Sequence, residues 1–258
     1  MRLMLTFRPQ EEFPKSEINR HMVRAMIYSL LIGTPYEEVH DRRTFKFFCF
    51  SDIFPVGDFS PEEEKHLIIS SPDEAFIETL HDRILNVNGL HLRTHMLDVV
   101  SVKVFRLRPG KTFITGSPVV VRTLEGGYFT FLHRGDFEYF LRRLTLNAVH
   151  KYEAFTGEKF ELDEPLFTRM VPRVRKNGFV DIFERVRIKD RTFTIAGSAW
   201  KLLEVPLNES NREFYSFIME AGIGELNSMG YGFLNPLKRQ KNRRKWGRKN
   251  GPNPSQAS

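Results

Sequence analysis

Apolar and polar positions alternate at the start of the chain, where Leu3, Leu5 and Phe7 share one face of a predicted strand over residues 2–8. The period then lengthens. Ser16 can cap a helix running to Leu31, with Ile18, Met22, Met26 and Leu30 as its apolar stripe and Gly33 and Pro35 ending it. Tyr28 lies off that stripe, on the face that carries Arg20, His21 and Arg24, where an exposed tyrosine among cations is expected. Thr44 to Phe54 reads as an aromatic-rich strand and His66 to Ser70 as another. A helix over Pro72 to Leu85 points Ala75, Phe76, Leu80 and Ile84 inward, and strands between Leu90 and Leu107 complete the first half.

After a break at Pro109-Gly110 the theme returns without a residue-level repeat. Phe113 to Thr123 reads as a strand, Asp136 to Phe155 as a long amphipathic helix, and Phe193 to Val205 as further strand. Ser210-Asn211-Arg212-Glu213 is a capping box for a helix through Phe214, Phe217, Ile218 and Ala221, and Tyr231-Gly232-Phe233 reads as a short closing strand. The predicted fold class is α+β: two tandem ferredoxin-like βαββαβ domains of the kind RNA-recognition modules share. The expected boundaries are 1–110, 111–236 and a basic tail over 237–258.

Between Thr168 and Lys189 a hairpin is expected around Lys176-Asn177-Gly178. A three-residue loop with left-handed Gly178 pairs Arg175 with Phe179 and Val174 with Val180. Val174, Val180, Ile182, Val186 and Ile188 then share a buried face. Arg169, Arg173, Arg175, Phe179, Phe183, Arg185 and Arg187 take the other, because a one-residue slip would turn the whole strand over. Residues 169–191 hold eight Lys and Arg, Lys176 among them, against Asp181, Glu184 and Asp190. Arginines interleaved with phenylalanines suit phosphate contacts and base stacking; a solvated charged face is the other reading.

Composition narrows the classes. The 258 residues are 41% hydrophobic and 28% charged, with 24 Phe to fill a core. One cysteine, Cys49, excludes an internal disulfide framework and a four-Cys zinc site. The N-terminal apolar stretch is too short for a signal peptide, and no run approaches the roughly 20 residues that span a bilayer, so a cytoplasmic protein without a membrane partner is expected. Net charge is +7, but eight Lys and Arg between Lys238 and Lys249 exceed that total and leave the rest at −1. A nucleic-acid surface on the body must therefore come from local clustering. The tail, with Gly251, Pro252 and Pro254 and no periodicity, reads as disordered or as an accessory RNA contact.

Gly222-Ile223-Gly224-Glu225-Leu226-Asn227-Ser228-Met229-Gly230-Tyr231-Gly232 follows a helix and precedes a strand. That order is the reverse of a dinucleotide-binding turn, and Asn227 stands where its third glycine belongs. Such a loop is either a tight connection packed on a sheet or a nest of amides for a phosphate. Catalytic motifs are otherwise scarce. His40-Asp41 and His81-Asp82 lack the helical setting of metal phosphohydrolases, His91 and His95 lack a second ligand cluster, and no phosphate-binding lysine loop or serine-nucleophile elbow occurs. Metal-free RNA chemistry remains open, because the 2′-hydroxyl is an internal nucleophile beside the scissile phosphate.

The eleven-residue pattern, two Gly-X-Gly units five residues apart near the end of the chain, resembles the signature loop of the CRISPR-associated RAMP proteins. The closest likeness is to their endoribonucleases that cut CRISPR precursor RNA. The resemblance reaches to about Pro236 and implies cleavage without metal or other cofactor, giving a 2′,3′-cyclic phosphate and a 5′-hydroxyl. It also implies a tyrosine late in the first helix, a histidine in the next connection and a lysine at the entrance to the following strand, which here are Tyr28, His40 and Lys46. Histidine exchanges protons near neutral pH, lysine supplies a cation, and tyrosine donates or relays a proton. His21, on the Tyr28 face, competes with His40 for the acid–base role. RNA contacts are expected at Arg173, Arg175, Lys176, Arg185 and Arg187 and along Gly222, Gly224, Gly230 and Gly232. The expected partners are CRISPR repeat RNA and a CRISPR effector complex, with the protein a monomer or homodimer. Two alternatives stand beside this one. One is a RAMP subunit that binds repeat RNA without cutting; the other is a generic tandem RNA-recognition protein, which would need an aromatic RNP box that the chain lacks.

Overall fold

The computed structural model describes residues 1–237 except 41–43, 133–134 and 189–190; the side chains of His40, Arg187, Ile188 and Arg191 also lie outside the description. The first sheet is built around β1 (Arg2–Pro9), whose alternate Leu3, Leu5 and Phe7 are fully buried. Next come α1 (Arg20–Leu31), β2 (Cys49–Phe50), β3 (Lys65–Ser70), α2 (Glu74–Leu85), β4 (Leu90–Leu92) and β5 (His95–Phe105). The sheet order is β2-β3-β1-β5-β4, and every pairing is antiparallel. Ile27 and Leu30 of α1 and Phe76, Ile77, Leu80 and Ile84 of α2 close the core against these strands.

Further along are β6 (Thr112–Thr115), α3 (Phe137–Thr156), β7 (Arg169–Pro172), β8 (Asp181–Ile188), β9 (Arg191–Ser198), β10 (Trp200–Glu204), α4 (Arg212–Ala221) and β11 (Leu234–Pro236). The second sheet runs β11-β6-β10-β7, while β8 and β9 form a two-stranded sheet of their own, bridged to Val119 at Ser198. In both sheets the earliest strand lies at the centre, between a late strand and one that precedes the second helix. The fold is mixed α+β with antiparallel sheets.

Side chains set several element ends differently from the sequence reading. The α1 cap is Asn19, whose carboxamide accepts from the Met22 amide at 3.2 Å, because residues 15–17 form a separate 3-10 turn after Pro14; Ser16 caps nothing. The strand expected from Thr44 to Phe54 is reduced to Cys49–Phe50 and an isolated bridge from Phe54 to His66, and Phe47 takes φ +44° and seats its ring against Phe155 and Phe217. Phe113 to Thr123 is cut short by Gly116-Ser117-Pro118, and Gly232, at φ +75°, delays the last strand to Leu234. Phe193 to Val205 is split between two sheets. The Ser210 hydroxyl bonds Asn208 instead of capping α4.

The expected hairpin is also redrawn. β7 pairs with β10, and β8 pairs along its length with β9. Pro172 supplies no amide to extend a ladder toward β8, and the Arg173 amide turns to Ala199 O at 2.7 Å. The tight turn survives alone, with Gly178 at φ +81° and the Arg175 amide donating to Phe179 O at 2.9 Å. Val186 is buried as expected, whereas Val174 is exposed.

Two buried arginines lock the sheets together. Arg2 donates to Glu220 Oε2 at 2.9 Å, Asn235 Oδ1 at 2.8 Å, Met219 O at 2.9 Å and Leu234 O at 2.8 Å, so its fork is satisfied by α4 and β11. Arg20, at the first turn of α1, donates to Gly230 O at 2.7 Å and Glu184 Oε2 at 2.9 Å, and also pairs with Asp52.

Candidate functional site

The glycine loop sits where the two sheets meet. Gly222, Gly224, Gly230 and Gly232 are buried and all take positive φ. Two of them show why no side chain serves there: a Cβ on Gly230 would overlap the Phe50 ring, and one on Gly232 the Ile223 carbonyl. The loop spends its amides internally. Gly222 N donates to Ile218 O at 3.0 Å, Gly230 N to Asn227 O at 2.7 Å and Gly232 N to Pro118 O at 2.7 Å. A phosphate nest loses those three donors, and the tight packed connection describes these glycines.

Lys151, on α3 and only 3% exposed, holds the loop from beneath. Its ammonium donates to Gly222 O at 2.6 Å, Gly224 O at 3.2 Å and Asn227 Oδ1 at 2.6 Å. Asn227 passes the constraint on by donating to Ile223 O at 3.0 Å and Tyr231 O at 2.9 Å. Burial pushes Lys151 down to about 7, yet three oxygens match the three N–H bonds of the protonated amine. Lys151→Met should therefore destabilise the protein by about 2 kcal/mol, the unsatisfied acceptors being partly offset by relief of the buried charge. Urea denaturation measures it, and an unchanged midpoint would show that the ammonium does not hold the loop.

Held in this way, the loop presents Ser228 to Tyr28. Burial pushes the Tyr28 phenol up, opposed by the charge of Arg24 and by the nearby polar groups of Arg24 and Ser228. The ring lies 5.0 Å from the Arg24 guanidinium carbon and 5.5 Å from the Lys46 ammonium, with Phe48 edge-on at 5.9 Å. Tyr28 is half-buried against the first core instead of standing exposed. A phenol held up in this way stays protonated at neutral pH, so it donates instead of acting as a base. Two of the three residues named from the resemblance thus meet beside the loop. His40 ends a 3-10 turn over Glu37–His40, and its side chain is outside the described residues. His21 lies on the first turn of α1, two turns before Tyr28.

Arg173, Arg175, Lys176 and Arg185 are exposed, as are Phe179, Phe183 and Phe193. The Arg187 side chain is outside the description. On β8, Phe183 and Arg185 share the outward face, while Val186 packs with Ile195 of β9 and with Tyr231 and Met229 of the glycine loop. The basic face and the loop are therefore joined by direct packing. Replacing Arg173, Arg175 and Arg185 by Ala should weaken RNA binding and flatten its log–log salt slope by about 0.7–0.9 per lost phosphate contact. An unchanged slope would leave the face merely solvated.

Sequence reasoning passed over Ser228 and Lys151. Ser228 is inside the quoted motif, where the spacing marked only glycines; Lys151 carries no local signal, since its three acceptors lie more than 70 residues on. Among the described residues no group of three or more His, Cys, Asp or Glu could hold a metal ion, and no helix is long and apolar enough to cross a membrane.

Comparison with known proteins places this geometry. The family model for CRISPR associated protein Cas6, C-terminal, matches residues 102–236. The CRISPR-associated endoribonuclease Cas6 2 of Methanocaldococcus jannaschii is 44% identical over 242 residues, covering 92% of this chain and 100% of that protein. The Haloferax mediterranei endoribonuclease Cas6 is 23% identical, covering 93% of this chain and 95% of its own. In fold, a Cas6-related protein from Pyrococcus furiosus superposes with a TM-score of 0.68 at 18% identity, covering 93% of this chain and 99% of its own. A further CRISPR associated protein Cas6 gives 0.66 at 23% identity, covering 92% and 99%. With the glycine loop, the family match and the 44% identity in agreement, the chain belongs to the Cas6 family of CRISPR-associated endoribonucleases.

Proposed function

We propose that this protein is a metal-independent endoribonuclease that cuts CRISPR repeat RNA by attack of a 2′-hydroxyl on the adjacent phosphate. The observation that carries the reading is the meeting of Tyr28, Lys46 and Arg24 beside Ser228 of the glycine loop. A relative 44% identical bears the name endoribonuclease, and a Cas6 structure similar in fold, with a TM-score of 0.62, is described as a product complex. The architecture proposed is two tandem ferredoxin-like domains, over 1–110 and 111–236, followed by a basic tail over 237–258, with the site between the domains.

Each residue has a distinct task. His40 exchanges the proton, as base toward the 2′-hydroxyl or acid toward the leaving 5′-oxygen. Lys46, with Arg24 beside the same Tyr28 ring, offsets the extra negative charge of the pentacoordinate phosphorane. Tyr28 stays protonated and donates a hydrogen bond to a phosphate oxygen, oriented by Ser228. Along β8 and the turn before it, Arg173, Arg175, Lys176 and Arg185 hold the RNA backbone, and the neighbouring phenylalanines offer faces for bases. The bond broken is phosphorus to 5′-oxygen; the products are a 2′,3′-cyclic phosphate and a 5′-hydroxyl.

The test is to incubate the protein with repeat RNA in EDTA and weigh the fragments. A single cut with a cyclic phosphate on the upstream fragment supports the reading. Linear 3′-phosphate as the first product would overturn it. Tight binding without cutting would leave the non-cutting RAMP subunit.

A further inference from the structure

A cavity of about 300 Å³ opens between the start of α1, the segment after β2 and the strand β8. It lies at the opposite end of α1 from Tyr28, so the cleavage chemistry does not use it. Its walls are apolar at Ile18, Val23, Ile53 and Val186, and carboxylates enter it at Asp52 and Glu184. Lys15 also lines it, as does Arg185, exposed on β8 among the cations assigned to the RNA backbone.

The charges decide what such a cavity accepts. Arg20 is the buried cation between the two acids; it donates to Glu184 Oε2 at 2.9 Å and pairs with Asp52. Glu184 is further committed to Tyr231, whose hydroxyl donates to Oε2 at 2.7 Å. Asp52 accepts from Arg20 through Oδ1, its one side-chain hydrogen bond among the described residues, and keeps 49% of its side chain exposed. Burial and the neighbouring Glu184 charge push the Asp52 carboxyl above its usual range, against the pull of Arg20 and Lys15. Arg20 is held by the two acids, Glu184 is taken by Arg20 and Tyr231, and the half-exposed Asp52 carboxylate is left as the acceptor for a neutral group that brings N–H donors.

We propose that this cavity is a nucleobase pocket in which Asp52 reads the Watson–Crick edge of a guanine splayed out of the bound RNA. The volume is at the small end for ligand sites and suits one base. Guanine is the base that offers two adjacent donors, N1–H and N2–H, to one carboxylate, a charge-assisted fork. Apolar walls suit its faces, and single-stranded RNA is read on such splayed edges. The pocket rests on RNA being the substrate, and would make Asp52 a specificity residue for it.

The test titrates the intact protein with nucleoside 5′-monophosphates while the methyl signals of Ile18, Val23, Ile53 and Val186 are followed by NMR. Guanosine monophosphate should shift them saturably. Inosine monophosphate, which lacks the 2-amino group, should bind roughly tenfold more weakly, as should the adenosine, cytidine and uridine monophosphates. Asp52→Asn, which presents an amide to the same donors, should erase the difference between guanosine and inosine; the inosine comparison on the unaltered protein stands even if that variant fails to fold. Equal binding of all the nucleotides, or no methyl shift at millimolar guanosine monophosphate, overturns the pocket. Cleavage of repeat RNA in EDTA, assayed on the same preparation, reports separately. Cutting without methyl shifts sinks the pocket alone, and guanosine-selective shifts without cutting sink the nuclease reading alone.

Discussion

His40→Ala should slow cleavage of repeat RNA by about 10²–10⁴-fold under single-turnover conditions while leaving RNA affinity within about twofold, since a positioned acid–base group is worth that much. Burial holds Tyr28 in its protonated form, so it cannot be the base near neutral pH. Lys46 beside the same ring serves better as a fixed cation, and Lys46→Ala should cost about 10²–10³-fold, like the loss of an oxyanion donor. Tyr28→Phe should cost less than either if the phenol only orients the phosphate. The three are to be compared in rate against pH. A histidine-range limb present in Tyr28→Phe and lost in His40→Ala assigns the proton to His40. Full activity in His40→Ala would move the role to His21, two turns before Tyr28 on the same helix.

The pattern of the chain carried much of this. Period-two alternation at Leu3, Leu5 and Phe7 marked the central strand, and Asp73 and Asp136 cap the second and third helices within two residues of the expected starts. The four-glycine spacing pointed to the loop because no β-carbon fits at Gly230 or Gly232. What was illegible depends on partners distant in sequence. Arg20 looked like a surface cation on the Tyr28 face, yet it is buried, because Asp52, Glu184 and Gly230 O surround it. Arg2 bonds four groups more than 200 residues away. The hairpin error has a local cause: alternation fitted a ladder through Pro172, but a residue without an amide ends that ladder, and β8 found β9 instead. The exposed arginine and phenylalanine face survived the error, because outward alternation on β8 is the same whichever strand pairs with it.

The central claim is that the RNA attacks itself, with protein groups moving protons and balancing charge around it. A single 2′-deoxy nucleotide at the scissile position removes the nucleophile and nothing else. The most direct measurement is the single-turnover cleavage rate of that RNA beside the all-ribose RNA, both in EDTA, with binding measured in parallel. Our account expects binding within about twofold, full-rate cutting of the ribose strand and no detectable cutting of the deoxy strand, because the internal nucleophile supplies the proximity on which the reaction depends. Cutting of the 2′-deoxy strand at the same bond would contradict it, since water would then be the nucleophile.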